Sequence, residues 1–252
     1  MESKLMAADS ADHFGGVVFD LDGVLVESEH LWEENWTQHA AANDYVWLAT
    51  DTATVQGMSV PEWSRYMVER IGRGQPEEIA EAVIDGMIGA LHGGRVDLLP
   101  GAPEMVAAAA DRVRVAVASS APRRLIDAVL EATGLHPRFS AFVSSEEVPR
   151  GKPSPDVYLE AARRIGVPPQ LCAAVEDSSN GIRAAAAAGM TVIALPNPVY
   201  QPKADALALC AKIAASPDDV RRFLIERLPE PETSEKSMSG GTGSPAARSD
   251  GQ

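Results

Sequence analysis

Two aspartates, Asp20 and Asp22, stand in the run Phe19-Asp-Leu-Asp-Gly-Val24, directly after the apolar stretch Gly16-Val-Val-Phe19. Side chains two apart on an extended strand leave the same face, and Gly23 permits a sharp turn just beyond them. Two carboxylates so placed can divide a phosphoryl transfer, one attacking phosphorus and the other moving a proton. A turn of two aspartates and a glycine also ends strands that carry no chemistry, so its weight comes from its company.

Three further runs supply that company. Val117-Ala-Ser119-Ser120-Ala-Pro122 leads from a strand into a helix, where backbone N–H groups and a hydroxyl form a phosphate cradle. An ordinary helix cap by Ser120 is the plain alternative. Arg150-Gly-Lys152-Pro-Ser-Pro155 holds a lysine in a constrained loop from which its point charge can be aimed. Ala174-Val-Glu176-Asp177-Ser-Ser-Asn180-Gly181 sets two acids directly after an apolar run. With Asp20 they make the oxygen-rich set that Mg2+ prefers. Capping of the following Ala-rich helix by Asp177 or Ser178 is compatible with that use.

Each run needs an element to carry it. Candidate strands are Gly16–Leu21, Val113–Ala118, Ala141–Ser144, Cys172–Val175 and Thr191–Leu195, with little polar alternation, as in strands covered on both faces. Helix starts are expected at Ser120-Ala-Pro122, Ser154-Pro155 and Ser216-Pro217, with a capping hydroxyl before a proline. Helix ends are expected at Gly134, Gly166 and Gly189. This alternation predicts an α/β fold, a Rossmann-like doubly wound parallel sheet whose ligand lies beyond the carboxyl ends of its strands.

The interval between the first two strands is too long for one crossover. Leu31, Trp32, Asn35, Trp36 and His39 share a helical face, Ser59-Val-Pro61-Glu62 reads as a capping box, and Gln75-Pro76 opens another helix. All four tryptophans fall there. The expected organisation is a core over 14–26 and 100–228, an inserted α-helical cap with its own small core over 27–99, and a disordered tail over 229–252. That last stretch holds no Ile, Leu, Val, Phe, Tyr or Trp.

Composition narrows the function classes. With 22 basic against 36 acidic residues the net charge is −14, which argues against nucleic-acid and anionic-membrane binding. A small phosphorylated ligand stays compatible, because a divalent cation reverses the local field. Two cysteines, Cys172 and Cys210, provide neither a disulfide framework nor a zinc site. The polar start and the lack of an apolar run of about 20 residues predict a cytoplasmic protein, a monomer or weak dimer.

Taken in order, the four runs resemble the motifs of the haloacid dehalogenase superfamily, in its phosphatase branch with a helical cap. The match runs from Asp20–Val24 through Ser119 and Lys152 to Glu176-Asp177, over about residues 15–200. Glu27–Trp32 and Ser145–Pro149 are more narrowly similar to bacterial sugar-phosphate phosphatases. The resemblance implies that Asp20 is the nucleophile and Asp22 the general acid and base. It further implies that Ser119 and Lys152 hold the phosphoryl oxygens, and that Asp20, Asp22 (through its carbonyl), Glu176 and Asp177 hold Mg2+. The expected partner is a small phosphomonoester. Dehalogenases and phosphonatases lack an aspartate at the position of Asp22. The β-phosphoglucomutase group carries a histidine where this chain has Trp32 and an arginine where it has Val60, so a phosphatase is expected over a mutase. A catalytically silent binding protein is disfavoured because no motif residue is replaced. Ser28, Trp32, Gln56, Gly57, Met58, Ser120 and Asn180 are the candidates to contact the rest of the substrate, while Trp36, Trp47 and Trp63 are expected to fill the cap's core.

Overall fold

The computed structural model describes residues 13–231. The expected lead-in through residue 12 and the expected tail from 232 onward lie outside the described residues. The chain enters through β1 (Gly16–Phe19), then leaves the sheet at β2 (Val26–Glu27) for four helices, α1 (Glu29–Ala42), α2 (Ala49–Val55), α3 (Val60–Ile71) and α4 (Pro76–His92). It returns at β3 (Asp97–Leu98). From there helices and strands alternate: α5 (Ala102–Ala110), β4 (Arg114–Ser119), α6 (Arg123–Ala132), β5 (Ala141–Ser144), α7 (Asp156–Ile165), β6 (Cys172–Glu176), α8 (Ser179–Ala187), β7 (Thr191–Ala194), α9 (Ala204–Leu207), β8 (Lys212–Ile213) and α10 (Pro217–Ile225).

Six strands form one parallel sheet in the order β5-β4-β1-β6-β7-β8. Alternate residues of β1 serve opposite layers. Val17 and Phe19 join the apolar body made with α5, α6 and α10, while Val18 joins the one made with α7 and α8. The first body runs without a break into the helical insert through Leu21, Val24 and Leu25 to Leu31 and the tryptophans. The insert therefore shares its apolar core with one face of the sheet instead of enclosing a separate one. Loop residues Leu21, Val24 and Leu25 bridge the two.

All five expected strands form, within a residue or two of the expected ends. Ser216 caps its helix, accepting from Asp219 N at 3.2 Å. Ser120 and Ser154 do not cap theirs: α6 and α7 begin one residue after Pro122 and Pro155, so each proline stands at the boundary itself. The Ser154 hydroxyl donates instead to the Asp156 carboxylate at 2.8 Å. In the insert, Ser59 N donates to Glu62 Oε2 at 2.9 Å, the expected half of a capping box.

Candidate active site

Because β1 lies between β4 and β6, Phe19 is level with Val117 on one side and Val175 on the other. The residues just beyond these positions all emerge at one sheet edge. Asp20 N still bonds to Val175 O at 3.0 Å, which fixes the start of its loop against β6. Gly23 then turns with φ +73°, and a Cβ there would sit 2.1 Å from Asp177 Oδ2. Only glycine allows the first acidic run to approach the last so closely.

Lys152 is the only basic residue among the described residues lining the cavity, and it is 1% exposed. Its Nζ lies 3.0 Å from Asp20 Oδ1 and 2.6 Å from Glu176 Oε1, and 5.2 Å from the centroid of the Tyr158 ring on α7. Glu176 is saturated. Oε1 also accepts from Tyr158 Oη at 2.8 Å, and Oε2 accepts from Asp177 N, Ser178 N and Ser178 Oγ at 3.0, 3.0 and 3.1 Å. The four donors other than Lys152 orient it as a clamp on that lysine.

The rest of the floor is short of positive charge. Burial pushes Asp20 up to about 8, against the pull of Lys152 and with the repulsion of Glu176 and Asp22. Asp22 is also raised by burial, although the Ser28 hydroxyl and Trp32 Nε1 (3.1 Å) both donate to its Oδ1. Asp177 rises well above the usual carboxylate range through burial and the nearby charges of Glu29, Glu176 and Asp20. Asp20, Glu176 and Asp177 each offer an oxygen within 4.8 Å of the others. Asp177 Oδ2 is buried without a donor. A crowd of hard oxygen donors with Asp177 Oδ2 left unsatisfied fits a divalent cation.

Over this floor lies a cavity of about 70 Å3. Trp32, Gln56, Gly57 and Met58 line it, together with Ser120. Ser28, Ser119 and Asn180 stand behind its wall. Ser119 Oγ accepts from Ala121 N at 3.0 Å and keeps its own hydrogen to donate. Ser120 Oγ donates to Gly57 O at 3.2 Å and Asn180 Nδ2 to Gln56 O at 3.3 Å, so both pin the α2–α3 loop of the insert to the core.

Eight lining residues are not among the sequence candidates, and four of them bear on the chemistry of the cavity. Trp36 and Trp63 are buried and also line the cavity. Glu29 lines it too, and its spacing of three and seven from Trp32 and Trp36 puts all three on one helical face, a signal present in the sequence. Tyr200 reaches it from the loop after β7 and donates to Glu33 on α1, a long-range contact no local pattern encodes.

This arrangement has known counterparts. The family model for "haloacid dehalogenase-like hydrolase" matches residues 14–189. The chain belongs to that family. Protein CbbY of Rhodobacter capsulatus is 32% identical over 192 residues, covering 72% of this chain and 85% of the relative. Hexitol phosphatase B of Escherichia coli K12 is 34% identical over 196 residues, covering 73% and 84%. Among solved structures, CbbY of Rhodobacter sphaeroides in complex with phosphate superposes with a TM-score of 0.70 at 27% identity, covering 81% of this chain and 95% of that one. A β-phosphoglucomutase from Clostridium difficile gives 0.71 at 19% identity, covering 84% and 99%, which shows the shared fold. This haloacid dehalogenase-like hydrolase is an enzyme of the phosphatase kind, and no helix among its described residues is long and apolar enough to cross a membrane.

Proposed function

We propose that the protein is a Mg2+-dependent phosphomonoesterase acting on small sugar or polyol monophosphates through an aspartyl-phosphate. The observation that carries this reading is the meeting of Asp20 and Lys152 on the floor of a cavity where Asp177 keeps an undonated oxygen. When bound, Mg2+ would offset the carboxylate charge and polarise a phosphoryl oxygen. Asp20, Asp177 and the Asp22 carbonyl would hold it, with Glu176 alongside as the clamp on Lys152. The roles of the chain's own residues follow. Asp20, held near 8 by burial, needs positive charge beside it to act as an anion at neutral pH, and Lys152 supplies only part of that. Asp22 has both its donors on Oδ1, which leaves Oδ2 to give a proton to the leaving oxygen and later to take one from water. Lys152 and Ser119 hold the phosphoryl oxygens, as electrostatic stabilisation of the transferring group requires.

The leaving group is read from the roof. Trp32, Trp36 and Trp63 present aromatic faces and no cation, which suits a neutral polyhydroxy chain and disfavours a second phosphate or a carboxylate. Trp36 Nε1 is buried with no acceptor, a donor that a substrate hydroxyl would satisfy. The relatives agree in kind, one being a hexitol phosphatase, although a CbbY structure contains xylulose 1,5-bisphosphate. Val60, at the position where the mutase group has its arginine, is buried in the roof.

The test is inorganic phosphate release from a panel of sugar and polyol monophosphates and bisphosphates, with Mg2+ and with EDTA, beside Asp20→Asn. Mg2+-dependent release that vanishes in the variant and favours monophosphates is the expected result. Conversion of β-glucose 1-phosphate to glucose 6-phosphate without net release would replace this reading with the mutase. Silence in both assays would favour a binding role.

A further inference from the structure

Glu29, the first residue of α1, turns from the insert back onto the floor. Its Oε1 accepts from Gln56 Nε2 at 2.8 Å, and the main-chain oxygen of Gln56 accepts from Asn180 Nδ2 at 3.3 Å. Asn180 lies in the first turn of α8, three residues after Asp177. The carboxyl groups of Asp177 and Glu29 in turn face each other at interacting distance. Two residues of the insert and two of the core thus form a ring across the seam.

The Asp177–Asn180 edge is the chain itself, and the Glu29–Asp177 edge is the one where buried oxygens meet no donor. Neither Glu29 Oε2 nor Asp177 Oδ2 has a donor, and both atoms are buried. Two carboxylates in contact away from water repel strongly unless a proton or a cation joins them. Lys152 is not the joining group, because its Nζ is already held between Asp20 and Glu176. The Gln56 amide occupies Glu29 Oε1 and so leaves Oε2 for whatever completes the edge.

We propose that Glu29 is a carboxylate of the divalent-cation site carried on the insert, so that cation binding and seating of the insert on the core are one linked equilibrium. This rests on the reading above that Asp177 is a cation ligand. By linkage, whatever factor the seated state gains in cation affinity is the factor by which the cation favours seating. Without the cation no metal closes this edge, and the insert is held on this side by the Gln56 and Asn180 bonds alone. With it, the Glu29–Asp177 edge closes beside those bonds.

The experiment is calorimetric titration with Mg2+ on the full chain, paired with small-angle scattering and tryptophan fluorescence with and without the ion. The samples are wild type, Glu29→Gln, Glu29→Ala and Asp177→Asn, each checked for a cooperative melt. Trp32, Trp36 and Trp63 border the cavity and supply the optical signal. The wild type should become more compact on adding Mg2+. Glu29→Gln should bind Mg2+ about tenfold more weakly and be compact with or without it, since the new amide can donate to Asp177. Glu29→Ala should bind as weakly and stay expanded in both conditions. Mg2+ affinity in both Glu29 variants within twofold of wild type would overturn the proposal, as would a wild type whose compactness ignores the ion. If Asp177→Asn alone loses binding, only the role of Glu29 fails. A wild type that binds no divalent cation removes both this inference and the metal-dependent reading beneath it.

Discussion

Asp51 and Asp177 are both carboxylates sealed from solvent, at 1% and 2% exposure, yet they are treated in opposite ways. Asp51, on α2 of the insert, receives Tyr66 Oη at 2.6 Å, Leu48 N at 2.9 Å, Tyr45 Oη at 3.0 Å and Arg70 Nε at 3.0 Å. Burial would raise it, but those four partners hold it below the usual carboxylate range. Asp177 meets other carboxyl groups instead and is driven up, with one oxygen lacking any donor. The first is satisfied within the chain and supports the insert. The second is left for something the chain does not contain, as ligand sites often are at some expense of stability.

That contrast can be tested at four levels of effect. Asp177→Asn should lower phosphate release by about 100- to 1,000-fold, a size typical of losing a group central to electrostatic stabilisation. The same variant should melt higher than wild type in EDTA, because it removes a buried repulsion. A lower melt in EDTA would mean that Asp177 is structurally satisfied after all. Asp51→Asn should do the reverse, destabilising the fold by about 2–4 kcal/mol in denaturant titration, since several charge-assisted bonds weaken together. Its Mg2+ affinity should stay within about twofold of wild type.

The third effect is the pH dependence of stability in EDTA. Asp20 has an ordinary value of 3.8 and a folded value of about 8, so the fold retains its proton across that interval. Its contribution is fully present below about pH 4 and is lost as pH rises through 8. Asp22, Asp177 and Glu29 are shifted in the same direction. Asp51, Glu147, Asp156 and Glu160 are shifted down, and their contribution is lost only as pH falls below the ordinary carboxylate range. The metal-free protein should therefore melt higher near pH 5 than near pH 8, and Mg2+ should narrow that gap. Equal melting temperatures at the two values in EDTA would contradict the assigned shifts. Smallest is Trp36→Phe, which keeps the aromatic face and deletes the buried donor. It should reduce kcat/KM for polyol monophosphates by roughly 2- to 12-fold, the range for one neutral hydrogen bond, and mostly through KM. No change would remove Trp36 from leaving-group recognition.

The floor was far more legible in the sequence than the roof. Asp20, Asp22, Lys152 and Asp177 sit next to strand ends, and a parallel sheet brings strand ends together wherever its order permits. Short apolar runs such as Cys172–Val175 could only be strands once helices were placed between them. The strands β2, β3 and β8 are two residues each, too short to show any period, and α2 has little apolar repeat. Trp36 and Trp63 read as core because burial is the usual fate of tryptophan. Here they are both buried and exposed to the cavity, a distinction that lies in the packing of α1 on α3. Ser120 and Asn180 were recognised as important positions, but their bonds to the main chain of Gln56 and Gly57 depend on where a loop more than 60 residues away comes to rest.

The insert departs at β2 and returns at β3, and these two strands pair with each other, Val26 with Leu98 and Glu27 with Asp97. Paired strands run about 4.8 Å apart, so the sheet meets the whole excursion through one narrow stem. In topological terms the roof of the active site is the loop of a hairpin, enlarged until it folds. A loop can be exchanged without altering the register of the strands beneath it. An enzyme built this way can change the alcohol it recognises by replacing what lies beyond the stem, while the chemistry on phosphorus passes unaltered from one version to the next.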